Sequence, residues 1–197
     1  MEISRLQKFL NWCAGLLTVA WIGGHGLQIW STIHRRFHCA KYGRAPLPKM
    51  DVASAAQKMH GFQWRRDGAR SLWDAVCTPQ KVAAIGFDPD LVGEEDNDCD
   101  EEGIFLTNTV EDPWVLKVEF MTVMWWDPED GFGGHNVCLL TRTGGVQYMD
   151  YGTPRAVCQT EREIALQVCA DYTGGNGVLT SWYISDKDLR PLRGGRN

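Results

Sequence analysis

Three residues in this chain have the types and the order of a thiol acyl-transfer site: Cys99, then His135, then Asp150. A thiolate attacks a carbonyl, an imidazole moves the proton, and a carboxylate holds the imidazole in one tautomer. Cys99 lies in the run Glu94-Glu95-Asp96-Asn97-Asp98-Cys99-Asp100-Glu101-Glu102-Gly103, directly ahead of Ile104-Phe105-Leu106. Asp98 reads as a helix N-cap and Glu101, three residues on, as its capping-box partner. Cys99 then takes the first helical position, where free backbone N–H groups and the helix dipole favour a thiolate. The neighbouring carboxylates push the other way, because like charge raises a thiol pKa. A reactive Cys99 therefore needs a cationic partner, and histidine is the natural one. The plainer reading of the stretch is an acidic, solvated helix start that contains a cysteine.

The triad needs a particular strand register. His135 opens the apolar run His135–Thr141, and Asp150 lies in Val146–Tyr151. A four-residue loop at 141–144 sets His135 directly opposite Asp150 on one face, with Cβ atoms about 4.5–5.5 Å apart. A Gly144-Gly145 turn instead sets Asp150 opposite Leu139, about 13 Å along the strand from His135. The triad reading thus commits to the longer loop.

The elements around these residues follow from local chemistry. Asp51 caps a short helix over 51–60, an irregular connection covers 61–68, and residues 69–76 form a helical piece around Leu72 and Trp73. Thr78 caps a helix that starts at Pro79 and runs to Ile85. Residues 86–93 are a loop. The Cys99 helix must stop before Pro113. Trp114–Trp126 alternates as a strand, 127–134 is a loop, 160–172 is a helix, and Gly174–Gly177 turns into a strand over 178–184. The fold class is α+β: helices first, with the nucleophile helix packed on an antiparallel sheet.

The chain has 197 residues, 44% of them hydrophobic, which suits one domain with an extension. A net charge of −5 gives no global case for nucleic-acid binding. The seven cysteines are odd in number, widely spaced and without a C-x-x-C, which argues against a zinc site or a full disulfide framework and for a reducing compartment. Phe9–Trp30 is nearly uncharged, but Asn11, His25, Gln28 and the Gly23-Gly24-x-Gly26 cluster weaken it as a membrane span. It reads as a membrane anchor or as a helix packed on the domain or a partner, kept rather than cleaved. Basic residues follow it, so an anchor would leave the main domain cytoplasmic. His34 and His38 read as part of a basic solvated end. The expected organisation is residues 1–48 as hydrophobic helix and linker, 49–189 as the domain, and 190–197 as a loose basic tail.

The motifs together resemble those of the bacterial transglutaminase-like cysteine proteinases, within the transglutaminase/papain-like superfamily. The resemblance spans roughly Phe62–Tyr151. It rests on Trp73 with Thr78-Pro79, on Asn97-Asp98-Cys99-Asp100-Glu101-Glu102-Gly103, on Gly134-His135-Asn136-Val137, and on Tyr148-Met149-Asp150. Asn97 stands where the family has glycine and Glu102 where it has an aromatic residue. The resemblance implies a papain-like fold and a cysteine peptidase or amidase acting on a protein or peptide. It also makes Asp98 and Asp100 candidate calcium ligands. The run from Asp96 is no EF-hand, since Glu101 stands at the glycine position and Thr107 at the bidentate glutamate.

In the enzyme reading Cys99 forms a thioester, His135 carries the proton and Asp150 fixes the ring. The Cys99 backbone N–H is one oxyanion donor, with Gln80 or Trp73 as candidates for the second. Water as acceptor gives hydrolysis and an amine gives transamidation. The alternative is a catalytically silent domain on the same fold, docking into a phage particle, a larger assembly or a membrane through residues 9–30. A third reading is a calcium-regulated binding module on 94–102.

Overall fold

The computed structural model describes residues 39–64, 77–92 and 98–196. The hydrophobic run 9–30, His34, His38, the helix expected at 69–76 with Trp73, and the acidic residues 94–97 lie outside the described residues. Among the described residues no helix is long and apolar enough to cross a membrane.

The architecture is α+β, built on one six-stranded antiparallel sheet. Its strands are β1 (Val115–Asp127), β2 (Gly131–Arg142), β3 (Gly145–Asp150), β4 (Thr153–Pro154), β5 (Val178–Ser185) and β6 (Pro191–Arg196), in the order β4-β3-β2-β1-β5-β6. The helices are α1 (Val52–Met59), α2 (Pro79–Ile85), α3 (Pro89–Val92), α4 (Cys99–Thr109) and α5 (Glu161–Thr173). Four of them start where a short polar side chain caps free N–H groups: Asp51 for α1, Thr78 ahead of Pro79 for α2, Asp98 for α4 and Thr160 for α5. α3 is one turn inside the segment expected to be a loop; Asp88 Oδ1 accepts from Asp90 N at 2.9 Å at its start.

Strand alternation gives the sheet two apolar faces. Cys138, Leu140 and Met149 pack with Val52, Ala55, Val82, Ile104, Phe105 and Leu106 of α1, α2 and α4. Met121, Val123, Val137, Leu139 and Tyr148 pack with Ile164, Ala165 and Val168 of α5. Each fully buried Leu or Phe contributes about 1.5–3 kcal/mol relative to exposure. The nucleophile helix and α5 therefore sit on opposite sides of the sheet.

The β1–β2 hairpin is tighter than the loop expected over 127–134. Asp127 Oδ1 accepts from the backbone N–H of Glu129 (2.8 Å) and of Asp130 (3.2 Å), closing the turn, and Gly131–Gly134 join β2. Trp125 lies opposite Gly133, where an added Cβ would fall 2.6 Å from the indole Nε1. Glycine there lets the indole lie across β2.

The β2–β3 register also differs from expectation. Arg142 pairs with Gly145 and Cys138 with Met149, around a two-residue Thr143-Gly144 turn with Gly144 at φ +90°. The four-residue loop is absent, and Asp150 aligns beside Val137 rather than opposite His135. The loose tail expected from residue 190 is instead strand β6, paired with β5.

Candidate active site

β3 ends at Asp150, so among the described residues β2 runs on past it without a paired strand on that side. His135 and Asn136 occupy this overhang. Being consecutive in a strand, they point to opposite faces. His135 meets the α5 side, where its ring lies 4.0 Å from that of Tyr172. Asn136 meets the α4 side, where its Nδ2 lies 3.6 Å from Cys99 Sγ.

The His135–Asp150 pair forms despite the register. His135 Nε2 and Asp150 Oδ1 are 2.8 Å apart, and both residues are buried. The two are diagonal neighbours on one face, and an imidazole is long enough to span the offset. Asp150 collects further donors. Tyr172 OH donates to Oδ1 at 3.0 Å and lies 3.3 Å from Oδ2, and Arg155 donates to Oδ2 at 3.0 Å. Burial pushes the Asp150 carboxyl up, but the bonds and charges of His135, Arg155 and Tyr172 outweigh it and hold it below the ordinary value.

Cys99 opens α4 with the expected cap. Asp98 Oδ1 accepts from Asp100 N at 3.1 Å, and Glu101 reaches back to Asp98 N at 3.4 Å in a capping box. Glu101 also accepts from Cys77 N at 3.1 Å. Cys99 Sγ is bonded to Asn136, and no hydrogen bond joins it to His135 among the described residues. Burial, then Asp98 and Asp100, push its thiol well above the ordinary value, with the Asn136 amide opposing them. Thr122 OH donates to Asn136 Oδ1 at 2.6 Å, which turns Nδ2 toward the sulfur.

Tyr151 separates the two pairs. Tyr151 (φ +47°) and Gly152 (φ +71°) form the turn between β3 and β4, both left-handed as a type I′ hairpin requires. A non-glycine residue held there costs about 1–3 kcal/mol. The conformation sets the Tyr151 ring 5.5 Å from His135 and edge-on to Trp64 at 6.4 Å.

Cys99 and His135 line one cavity of about 550 Å³. Trp64, Trp125, Phe132, Tyr151 and Tyr172 supply its aromatic walls, and Asp98, Asp127 and Asp130 its carboxyls. A second cavity of about 440 Å³, lined by Met59, Phe62, Trp64 and Tyr151, lies across the Trp64–Tyr151 ridge.

No family model, curated protein or solved structure matches the chain. What the site can do is therefore read from its own residues. The structure brings His135 to Asp150 and brings Cys99 to the same cavity. Gln80 is not among the residues that line it, and its Nε2 donates to Ala45 O at 2.9 Å. Trp73 lies outside the described residues. Asp98, Cys99 and Asp100 place one ligand atom each within 4.8 Å of one another. Two carboxylates and a soft thiol fall short of the ~6–8 hard oxygens that calcium takes, so these described donors do not make a calcium site by themselves. Asn136, Tyr172 and Arg155 are site residues that the sequence reading left unassigned; Asn136 stood inside the histidine motif. Among the described residues Cys99, Cys138, Cys158 and Cys169 form no disulfide.

Proposed function

We propose that this chain is a cysteine-dependent acyl-transfer enzyme, a peptidase or amidase of the transglutaminase-like, papain-like type. The observation that carries the proposal is the buried His135–Asp150 pair opening onto the same cavity as a thiol at a helix N-terminus. Its protein or peptide substrate would lie in that cavity.

Cys99 rests as a neutral thiol, so His135 acts as a general base during attack. Asp150 holds Nε2, which leaves Nδ1 to exchange the proton. Cys99 Sγ bonds to the carbonyl carbon as its proton passes to His135. The Cys99 backbone N–H and Asn136 Nδ2 receive the oxyanion. The intermediate collapses to a thioester, and His135 returns the proton to the leaving amine. Water then attacks the thioester, giving its proton to His135, and the acid leaves as the thiol is restored. Hydrolysis is preferred over transamidation on the strength of the motif resemblance alone.

A second reading has one observation in its favour. The thiol is pushed up by burial and by Asp98 and Asp100, and it is bonded to Asn136 rather than His135. A catalytically silent domain with an assembly role would look the same at rest.

Alkylation of Cys99 by iodoacetamide, followed by peptide mass mapping from pH 5 to 10 in wild type and His135→Ala, separates the two. The enzyme reading expects a neutral-pH rate that falls on the order of 100-fold in the variant, the usual scale of general-base assistance. A rate that rises only with the thiol's own ionisation and ignores His135 would leave the silent domain.

A further inference from the structure

The cavity beside Cys99 carries a charge pattern that acyl transfer itself does not require. Its described lining residues include three carboxyls, Asp98, Asp127 and Asp130, and neither lysine nor arginine. Asp127 is only 6% exposed, yet it borders the cavity. Its Oδ1 holds the turn N–H groups, while Oδ2 has no hydrogen-bond partner among the described residues. That oxygen borders the cavity and is open to accept from an incoming cation.

The cavity also has a continuous aromatic wall. Trp125 stacks on Tyr172 at 5.9 Å and 28°, and Tyr172 lies on His135 at 4.0 Å. Phe132, 63% exposed, stands at the mouth. Ring faces and carboxylates attract the same thing, a cation on an apolar stem. Anions are repelled by the three formal charges that border the cleft.

We infer that the substrate is a peptide with lysine or arginine beside the scissile carbonyl, its cation lying between the aromatic wall and the Asp127–Asp130 turn. This rests on the reading of Cys99 as the nucleophile. The proposal concerns the side chain that positions the substrate, and the leaving amine is a separate group.

Cys99 can report on the cavity without a known substrate. In the full chain, three methanethiosulfonates that differ in charge would be timed at Cys99 by mass mapping: trimethylammonioethyl, sulfonatoethyl and methyl. In each case the sulfur of Cys99 bonds to the reagent's sulfenyl sulfur and methanesulfinate leaves. Rates are divided by those on N-acetylcysteine. The cation-to-anion ratio should exceed that of the free thiol on the order of tenfold, as expected for carboxylates several ångströms away at intermediate dielectric. It should shrink with added salt. In Asp127→Asn with Asp130→Asn it should fall severalfold; asparagine keeps the Oδ1 acceptor that closes the turn. A normalised ratio of one or less would overturn the inference. So would a ratio that the double variant leaves unchanged, because Asp98 and Asp100 would then set it alone. The uncharged methyl reagent, in wild type and His135→Ala, reads the nucleophile independently. Loss of His135 dependence with the charge preference intact would remove the enzyme and keep the cation-selective cavity.

Discussion

Glu102 Oε1 accepts a hydrogen bond from the backbone N–H of Gly152 at 2.9 Å, tying the helix that carries Cys99 to the turn that follows Asp150. Glu102 is buried and stands where the resembled family has an aromatic residue. Its Oε2 has no partner among the described residues, and burial pushes the carboxyl well above the ordinary value, with Asp150 adding to the push and the Gly152 N–H opposing it. Burial therefore favours the neutral acid, which acts as an acceptor through Oε1. An apolar ring in its place could not accept that N–H, so a carboxyl at this position has a structural use.

Replacing Glu102 distinguishes its charge from its bond. The folded state holds a proton that the unfolded chain releases from about pH 4.3, so the Glu102 contribution favours folding in acid and declines as pH rises toward its folded value. Glu102→Gln keeps the acceptor and removes the titration. It should match wild type near pH 4 and be more stable than wild type at pH 8 in urea melts. Glu102→Ala should lose about 1–3 kcal/mol relative to Glu102→Gln at both, because the Gly152 donor is left buried and unpaired. A wild type that gains on the Gln variant as pH rises would show that the carboxyl is ionised in the fold.

Asn136 should matter to acyl transfer and not to alkylation. Its Nδ2 faces the sulfur only because Thr122 holds its carbonyl oxygen. Asn136→Ala should lower hydrolysis of a p-nitrophenyl ester of lysine by about 10²–10³ in kcat, the scale of one oxyanion donor. Displacement of iodide from iodoacetamide develops no oxyanion, so that rate should change little. Thr122→Val should give a smaller loss of the same kind. Equal losses in both reactions would make Asn136 a packing residue.

Tyr172 should set the acid limb of activity. Its hydroxyl donates to Asp150, and its ring lies against His135. Tyr172→Phe keeps the ring and removes a donor that favours the ionised carboxyl, so the Asp150 pKa rises toward its ordinary value. Asp150 then protonates at a higher pH on acidification, and the acid limb of the ester pH–rate profile should move up. Tyr172→Leu also removes the stacked ring and should lower the plateau as well. A plateau change with the limb fixed would make Tyr172 purely structural.

What was legible in the sequence was local. The caps at Asp51, Thr78 and Asp98 are short polar residues placed just ahead of their helices, and all three form. The same holds for the strands rich in β-branched and aromatic residues. The β2–β3 register was not legible, because Gly144 and Gly145 both take positive φ and only the strand pairing decides that Thr143-Gly144 forms the turn while Gly145 joins β3. The His135–Asp150 contact survives that error because a two-residue shift keeps both on one face. Tyr172 and Asp150 meet only through the packing of α5 on the sheet, which no spacing encodes. The partner of the Gln80 amide, Ala45 O, is likewise set by where the chain returns and not by spacing. β6 was missed because Pro191-Leu192-Arg193-Gly194-Gly195-Arg196 has the composition of a tail; what docks it is a partner far away in sequence.

That partner is Glu119, and the pair yields a stability prediction. Glu119 is 1% exposed, and both its oxygens accept from Arg193, at 2.6 and 2.7 Å, with Lys117 Nζ at 2.6 Å. Arg193 also bonds Glu161 at the start of α5, so one guanidinium joins β6, β1 and α5. Burial pushes the Glu119 carboxyl up, but Arg193 and Lys117 outweigh it and hold it below the ordinary value. A depressed folded pKa contributes stability above the unfolded value of about 4.3, lost as pH falls through the folded value. Arg193→Ala leaves Glu119 buried with Lys117 alone. Breaking a fully buried pair costs about 3–5 kcal/mol; since Arg193 is 36% exposed, water screens the pair and the loss should be smaller, about 1–3 kcal/mol. Urea melts at pH 7 should show this loss, and it should shrink at pH 3, where Glu119 in the variant takes up a proton. Hydrogen exchange should speed up along Pro191–Arg196 before it does in β1. Arg193→Ala with Glu119→Gln should recover part of the loss, since the amide carries no buried charge. A double variant as unstable as Arg193→Ala would show that the guanidinium acts through packing, and that β6 docks without the ion pair.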